Sequence, residues 1–205
     1  MKSSSSSRTG VPGLEIVLDV IRPELSARVC ENLMNEDRHH VSEIITDSER
    51  HLASRLTSSY SDVPLLLDGM QRSLPWTAAL SEVRDVIAQR FGAHFNYALA
   101  NLYRNRADHT GWHSDKAWLH EPGSTIAIVS FGATRSLEVR PLSGGATSRF
   151  ELIDSSVALM DLNMQQTHEH RIPPEHRETS PRLSITLREI IIHPDYLNHS
   201  DQPSS

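Results

Sequence analysis

Arg182-Leu183-Ser184-Ile185-Thr186-Leu187-Arg188 alternates polar and apolar residues without a break. A period of two puts Leu183, Ile185 and Leu187 on one face of a strand, and Arg182, Ser184, Thr186 and Arg188 on the other. Working back from this stretch, which reads on as strand to Ile192, the same period recurs in Phe95 to Tyr103, Thr125 to Phe131, Ser136 to Arg140, Arg149 to Ile153 and Val157 to Leu162. Glu121-Pro122-Gly123, Ser143-Gly144-Gly145 and Pro173-Pro174 read as the turns between them. Many short strands with such punctuation indicate an all-β barrel or sandwich.

Upstream the period lengthens. Pro23 opens a helix on which Leu25, Val29 and Leu33 follow at four-residue steps. A second helix runs from Thr77 to Phe91 with Leu80, Val83, Ile87 and Phe91 on one stripe, and Gly92 stops it. Both stripes read as core packing. The order predicts a mostly β chain whose N-terminal helices buttress a double-stranded β-helix, that is, a jelly-roll or cupin-like core.

The 205 residues suit one domain, read here as 14–192. Residues 1–13, Ser-rich, and the polar residues 193–205 read as flexible tails. No apolar run is long enough to span a bilayer and no signal-peptide core opens the chain, so the expectation is an intracellular, cytoplasmic protein without a membrane partner. Cys30 is the single cysteine, which excludes an intrachain disulfide and suits a reducing compartment. The net charge of −6 argues against a surface dominated by phosphate contacts, although a local basic face remains compatible with it. Nothing in the sequence addresses oligomeric state.

Two segments carry chemistry. In Trp112-His113-Ser114-Asp115, a His and an Asp stand two apart and share one side of an extended chain. With a second His from elsewhere they make a set of two imidazoles and one carboxylate, which leaves positions open on a ferrous ion. The pair alone is a weak signal, and a surface turn is the commoner reading of it. In Arg182 to Arg188, two guanidiniums and two hydroxyls on one face suit a dicarboxylate, because Arg grips carboxylates with a planar fork. A solvated outer face fits that pattern too.

Taken together, Asn101-Leu102-Tyr103-Arg104-Asn105, Trp112-His113-Ser114-Asp115, Ser130-Phe131-Gly132-Ala133-Thr134-Arg135, His170-Arg171-Ile172-Pro173 and Pro181-Arg182 to Arg188 resemble the AlkB family in order and spacing. The steps of twelve residues from His170 to Arg182 and six from Arg182 to Arg188 match its animal nucleic-acid repair members. The resemblance spans Tyr60 to Ile190. It implies an Fe(II)- and 2-oxoglutarate-dependent dioxygenase with iron on His113, Asp115 and His170. It also implies Arg182 on the distal carboxylate of 2-oxoglutarate, Arg188 near Asp115, and Asn101 and Tyr103 bonded to the cosubstrate. Ser184 stands where the family usually has Asn, so that contact would be shorter or bridged by water. His168, of the same parity as His170, is the alternative ligand or a group behind the ligands. The implied chemistry consumes O2 and 2-oxoglutarate, releases succinate and CO2, and hydroxylates a substrate C–H. Where that carbon sits on nitrogen, loss of an aldehyde completes a demethylation. The carboxylate of Asp115 argues for hydroxylation, since halogenating members of the wider superfamily lack it.

The departures concentrate on the substrate side. Lys116-Ala117-Trp118 replaces the acidic residues that follow the iron-binding Asp in repair members, and Ser59-Tyr60-Ser61 and Leu65-Leu66-Leu67-Asp68 replace their aromatic stretches. A flipped base needs stacking and edge contacts to offset its extrusion. Candidate substrate residues are therefore Tyr60, Leu67, Lys116, Trp118 and Arg135, with Trp118 read either as a new stacking platform or as core. Segments Ser59 to Pro75 and Lys116 to Glu121 are expected to form the substrate lid. The substrate reading stays divided between an alkylated nucleic acid or nucleotide and a small-molecule metabolite. A non-catalytic 2-oxoglutarate-binding scaffold is disfavoured, because no member of the metal and Arg set is missing.

Overall fold

The structure, a computed structural model, describes residues 6–46, 49–67 and 71–197. Twelve strands and three α-helices make up its regular elements: β1 (Ser6–Arg8), β2 (Leu14–Val17), α1 (Pro23–Leu33), β3 (His40–Thr46), β4 (Glu49–Ser61), α2 (Ala78–Phe91), β5 (Tyr97–Tyr103), β6 (Thr110–His113), β7 (Thr125–Gly132), β8 (Arg135–Pro141), β9 (Ser148–Leu152), β10 (Val157–Asp161), α3 (Leu162–Thr167), β11 (His168–Ile172) and β12 (Arg182–Arg188). The strands form two antiparallel sheets, an eight-stranded one in the order β1-β2-β10-β7-β12-β5-β4-β3 and a four-stranded one in the order β6-β11-β8-β9. No helix among the described residues is long and apolar enough to cross a membrane.

The alternation in β12 explains the layering. Leu183, Ile185 and Leu187 point to the face covered by the helices, where they meet Leu25, Val29 and Leu33 of α1 and Leu80, Val83 and Ile87 of α2 in one apolar cluster. The Thr77 side chain caps the start of α2 by accepting from Leu80 N, and Gly92 ends it in the left-handed region. The opposite face of the large sheet packs on the small one, through Ile16, Ile126, Ile128, Ala158 and Met160 against Leu137, Val139, Leu152 and Ile172. The polar face of β12 lies inside this sandwich, not on its surface.

Several boundaries differ from the sequence reading. Strands also precede the second helix: β3 and β4 extend the large sheet beside β5. β4 is rich in Ser, Thr and charged residues, so it lacks the apolar signal that marks the later strands. The last strand stops at Arg188, short of Ile192. The N-terminal segment read as tail contains β1, paired with β2, and Thr9 Oγ1 donates to Leu14 O at 2.7 Å. At the other end, residues 193–197 pack back, with Leu66 N donating to Tyr196 O at 2.8 Å. Residues 198–205 and Asp68 lie outside the described residues.

Candidate active site

Sheet register builds the metal triad. β6 and β11 pair so that His113 and His170 stand directly opposite each other, with ring centroids 4.3 Å apart. Asp115 follows two residues beyond the end of β6. Its N–H donates to Gln165 Oε1 of α3 at 2.9 Å, and Ser114 Oγ donates to His168 O at 2.8 Å, which pins the turn. One ligand atom from each of His113, Asp115 and His170 then lies within 4.8 Å of the other two. His113 Nδ1 bonds the Gly111 carbonyl at 2.9 Å, so it carries the proton and Nε2 keeps its lone pair for a metal.

The charges around this triad suit a cation. Burial pushes the Asp115 carboxyl up, but the Arg188 guanidinium, donating to Oδ2 at 2.9 Å, and the two imidazoles outweigh it and hold the group well below the usual carboxylate range. Burial, reinforced by His113, pushes His170 down to about 3, so its imidazole is neutral and able to ligate.

Two cavities meet at the triad, and His113, Asp115 and Arg188 line both. The first runs between the sheets and is walled by Asn101, Tyr103, Arg182, Ser184 and Thr186. Register explains the grouping, because Arg182 faces Tyr103, and Ser184 faces Asn101 and Ser130, on neighbouring strands. Arg182 is 0% exposed. Its Nη2 donates to Ser130 Oγ at 2.9 Å, while Nε and Nη1 are buried without partners. Burial pushes this guanidinium down to about 10. Arg188 Nε and Arg55 Nη1 are also buried and unpartnered. Such a set of orphaned donors fits a bound dianion. The donor set at the junction, two imidazoles and one carboxylate, fits ferrous iron.

The second cavity is walled by Leu67, Tyr97, Lys116, Trp118, Leu119, His120 and Tyr196. Trp118 is 64% exposed, so it stands at the rim and not in the core.

The profile of the 2OG-Fe(II) oxygenase superfamily matches residues 15–188. The chain belongs to the 2OG-Fe(II) oxygenase superfamily. It is 30% identical over 179 residues to human alpha-ketoglutarate-dependent dioxygenase alkB homolog 3, covering 82% of this chain and 60% of that one. It is 32% identical over 152 residues to the mouse DNA oxidative demethylase ALKBH2, covering 69% of this chain and 64% of that one. The chain thus spans under two thirds of the length of these relatives. The solved structure of OsALKBH1 shares its fold with a TM-score of 0.62 at 14% identity, over 87% of this chain and 98% of that chain.

Within this oxygenase fold, the metal and cosubstrate candidates read from sequence gather around the first cavity, whereas the substrate candidates divide. Leu67, Lys116 and Trp118 line the second cavity. Tyr60 does not: it is 2% exposed and packed in the core beneath the helices, because β4 runs through the sheet there. The lid reading of Ser59 to Ser61 is corrected for the same reason. Arg135 does not line the second cavity either. It is 1% exposed, and its guanidinium donates to the carbonyls of Asn105, Asp108 and Pro173. His168 lies outside the triad, with Nδ1 bonded to Thr167 Oγ1 at 2.9 Å. Sequence reasoning missed Arg55, Ser130, Gln165, Tyr97, His120 and Tyr196. Ser130 was within reach, since the alternation of β7 puts it on the cavity face. Tyr97 was too, on the face of β5 that carries Asn101 and Tyr103, and His120 lies within the segment Lys116 to Glu121, whereas Arg55, Gln165 and Tyr196 lie on a strand, helix or turn that carried no periodic signal.

Proposed function

We propose that this protein is an Fe(II)- and 2-oxoglutarate-dependent dioxygenase that oxidatively demethylates an alkylated nucleobase, in a nucleic acid or a nucleotide. One observation carries the reading: a metal-ligating triad sits where two cavities meet, and one of them ends on a buried guanidinium with unpartnered donors. The names of the relatives support the nucleobase, since one is a DNA oxidative demethylase.

His113, Asp115 and His170 would hold the iron. When bound, iron and 2-oxoglutarate supply the oxidation of a C–H bond by O2, with succinate and CO2 as coproducts. The chain's own residues do the positioning. Arg182 holds the distal carboxylate in a fork, with Ser130 fixing one of its nitrogens. Tyr103 stays in place through its hydroxyl, 2.9 Å from Thr110 Oγ1. Arg55 Nε donates to Asn101 Oδ1 at 2.6 Å, which turns the Asn101 amide N–H groups away from Arg55 and leaves them free for the cosubstrate. Arg188 keeps Asp115 ionised and oriented. A base entering from the second cavity would meet His113 and the aromatic wall of Trp118, Tyr97 and Tyr196. Hydroxylation of a methyl group on ring nitrogen gives a hemiaminal that collapses to the free base and formaldehyde.

The test is a screen of methylated oligonucleotides, nucleotides, nucleosides and small amines with purified protein, Fe(II) and 2-oxoglutarate, read by succinate and product mass. Loss of a methylene from a methylated base is expected. A stable gain of one oxygen on a non-nucleotide amine, with no turnover of any methylated base, would overturn the reading.

A further inference from the structure

Behind the metal triad, the outer face of the small sheet carries an ordered set of charges. His170 and Ile172 of β11 are buried, so Glu169 and Arg171 between them point outward. Leu137 and Val139 of β8 are buried in the same way, which turns Glu138 and Arg140 outward. Register sets Glu169 opposite Arg140, and Arg171 opposite Glu138. Arg140 Nε donates to Glu169 Oε1 at 2.5 Å, and Arg171 Nε to Glu138 Oε2 at 2.7 Å. Each guanidinium is thus pinned by a carboxylate on the neighbouring strand. Both also lie over one ring: the guanidinium carbon of Arg140 is 4.1 Å, and that of Arg171 4.6 Å, from the centroid of half-buried Trp112.

Trp112 belongs to a β-bulge. His113 pairs with His170 and Thr110 with Ile172, so Gly111 and Trp112 together oppose Arg171 alone. A bulge interrupts the ladder and re-aims the side chains beside it. Here it brings the Gly111 carbonyl to 2.9 Å from His113 Nδ1, the contact that leaves Nε2 for a metal. β6 is four residues long and stands at the edge of its sheet, so a broken ladder by itself holds it weakly.

We propose that Trp112 is a positioning residue for the iron. Gripped by Arg140 and Arg171, its ring holds the bulge in one shape, keeps the Gly111 carbonyl on His113 Nδ1 and so aims Nε2 at the metal. The inference rests on the triad reading above and is independent of the substrate. The two arginines are 41% and 36% exposed in their side chains, so the grip contributes little to the fold. A group that orients a ligating imidazole matters far more to the metal, by about 10–100-fold in affinity.

The test titrates Co(II) into metal-free wild type, Trp112→Leu, Trp112→Phe and the Arg140→Met, Arg171→Met double variant, with melting curves on the same samples. Trp112→Leu should raise the Kd for Co(II) about tenfold or more, and the double variant nearly as much, while the melting temperature falls by no more than ~2–4 °C. Trp112→Phe keeps a ring for the guanidiniums and should stay within about threefold of the wild type. In the Co(II)-loaded protein, the paramagnetically shifted Nδ1–H of His113 should exchange with solvent slowly in the wild type and faster in Trp112→Leu. Wild-type Co(II) affinity in Trp112→Leu overturns the inference. So does a loss in Trp112→Phe as large as that in Trp112→Leu, since the ring is then not what acts. Should Trp112→Leu fail to fold, the double variant decides, and wild-type affinity there overturns the inference. Wild-type affinity in His113→Ala overturns the triad itself, and the inference with it.

Discussion

Replacing Arg182 by Met separates what this side chain does for the fold from what it does for the cosubstrate. The guanidinium is fully buried, and burial lowers it from an ordinary value near 12.5 to about 10. It is still charged at pH 7 in the folded and unfolded chain alike, so a penalty of about 3 kcal/mol for burying that charge is present in full and lifts only above about pH 10. Met removes the penalty. It also removes the bond to Ser130 Oγ and the contact with the Tyr103 ring, 5.3 Å from the guanidinium carbon, each worth about 1 kcal/mol. The cosubstrate-free variant should therefore be about 1 kcal/mol more stable, with a melting temperature higher by ~2–4 °C for a chain of this size. Losing the partner of a buried carboxylate costs about 2–5 kcal/mol, so the Kd for 2-oxoglutarate should rise by at least ~30-fold. Calorimetric titration of the Ni(II)-loaded protein measures the second effect, and thermal melting without ligands measures the first. Unchanged 2-oxoglutarate affinity would place the dicarboxylate elsewhere. A fall in melting temperature of more than ~5 °C would show that Arg182 is retained for the fold.

His113→Ala and His170→Ala should each weaken Fe(II) binding by at least ~100-fold in anaerobic titrations, with the protein still folded; equal binding in the wild type and both variants would refute the triad. Arg135→Met should cost about 3–5 kcal/mol of stability in urea unfolding, because three carbonyls lose their donor; a wild-type midpoint would return Arg135 to the list of substrate candidates. Burial holds His39 and His40 below the ordinary histidine value, the Leu33 carbonyl opposing the shift at His39. The unfolded chain therefore binds more protons below about pH 6.5, and the stability these residues contribute is complete above that pH and lost as pH falls through it. The urea midpoint of the metal-free protein should drop between pH 7 and pH 5.5, and a His39→Gln, His40→Gln double variant should flatten that slope.

The sequence by itself determined β5, β7, β8, β9, β10 and β12, the helices α1 and α2, and the set of ionisable groups. Those readings rest on local periodicity, which the backbone geometry of strands and helices translates directly into faces. It did not reveal β4, since a strand made of Ser, Thr and charged residues is recognised only when its neighbours bury it. Trp118, Tyr60 and Arg135 show the limit most clearly. An aromatic residue near an active site reads alike whether it stands at the rim, as Trp118 does, or fills the core, as Tyr60 does. A buried Arg that binds three carbonyls is indistinguishable in sequence from one waiting for a phosphate.

What tertiary structure decided was which polar face is inside. Arg182, Ser184, Thr186 and Arg188 alternate as an outer, solvated face would, and packing of the small sheet over them turns that face into a closed pocket. Cross-strand register sets His113 opposite His170 although 57 residues separate them, and the turn pinned by Gln165 brings Asp115 to both. The tautomer of His113 depends on a carbonyl two residues away, brought within reach by the bulge in β6. Residue types and their period are properties of the chain; the burial that leaves a donor or an acceptor without water, and so makes it a site, comes into being only when the two sheets close on each other.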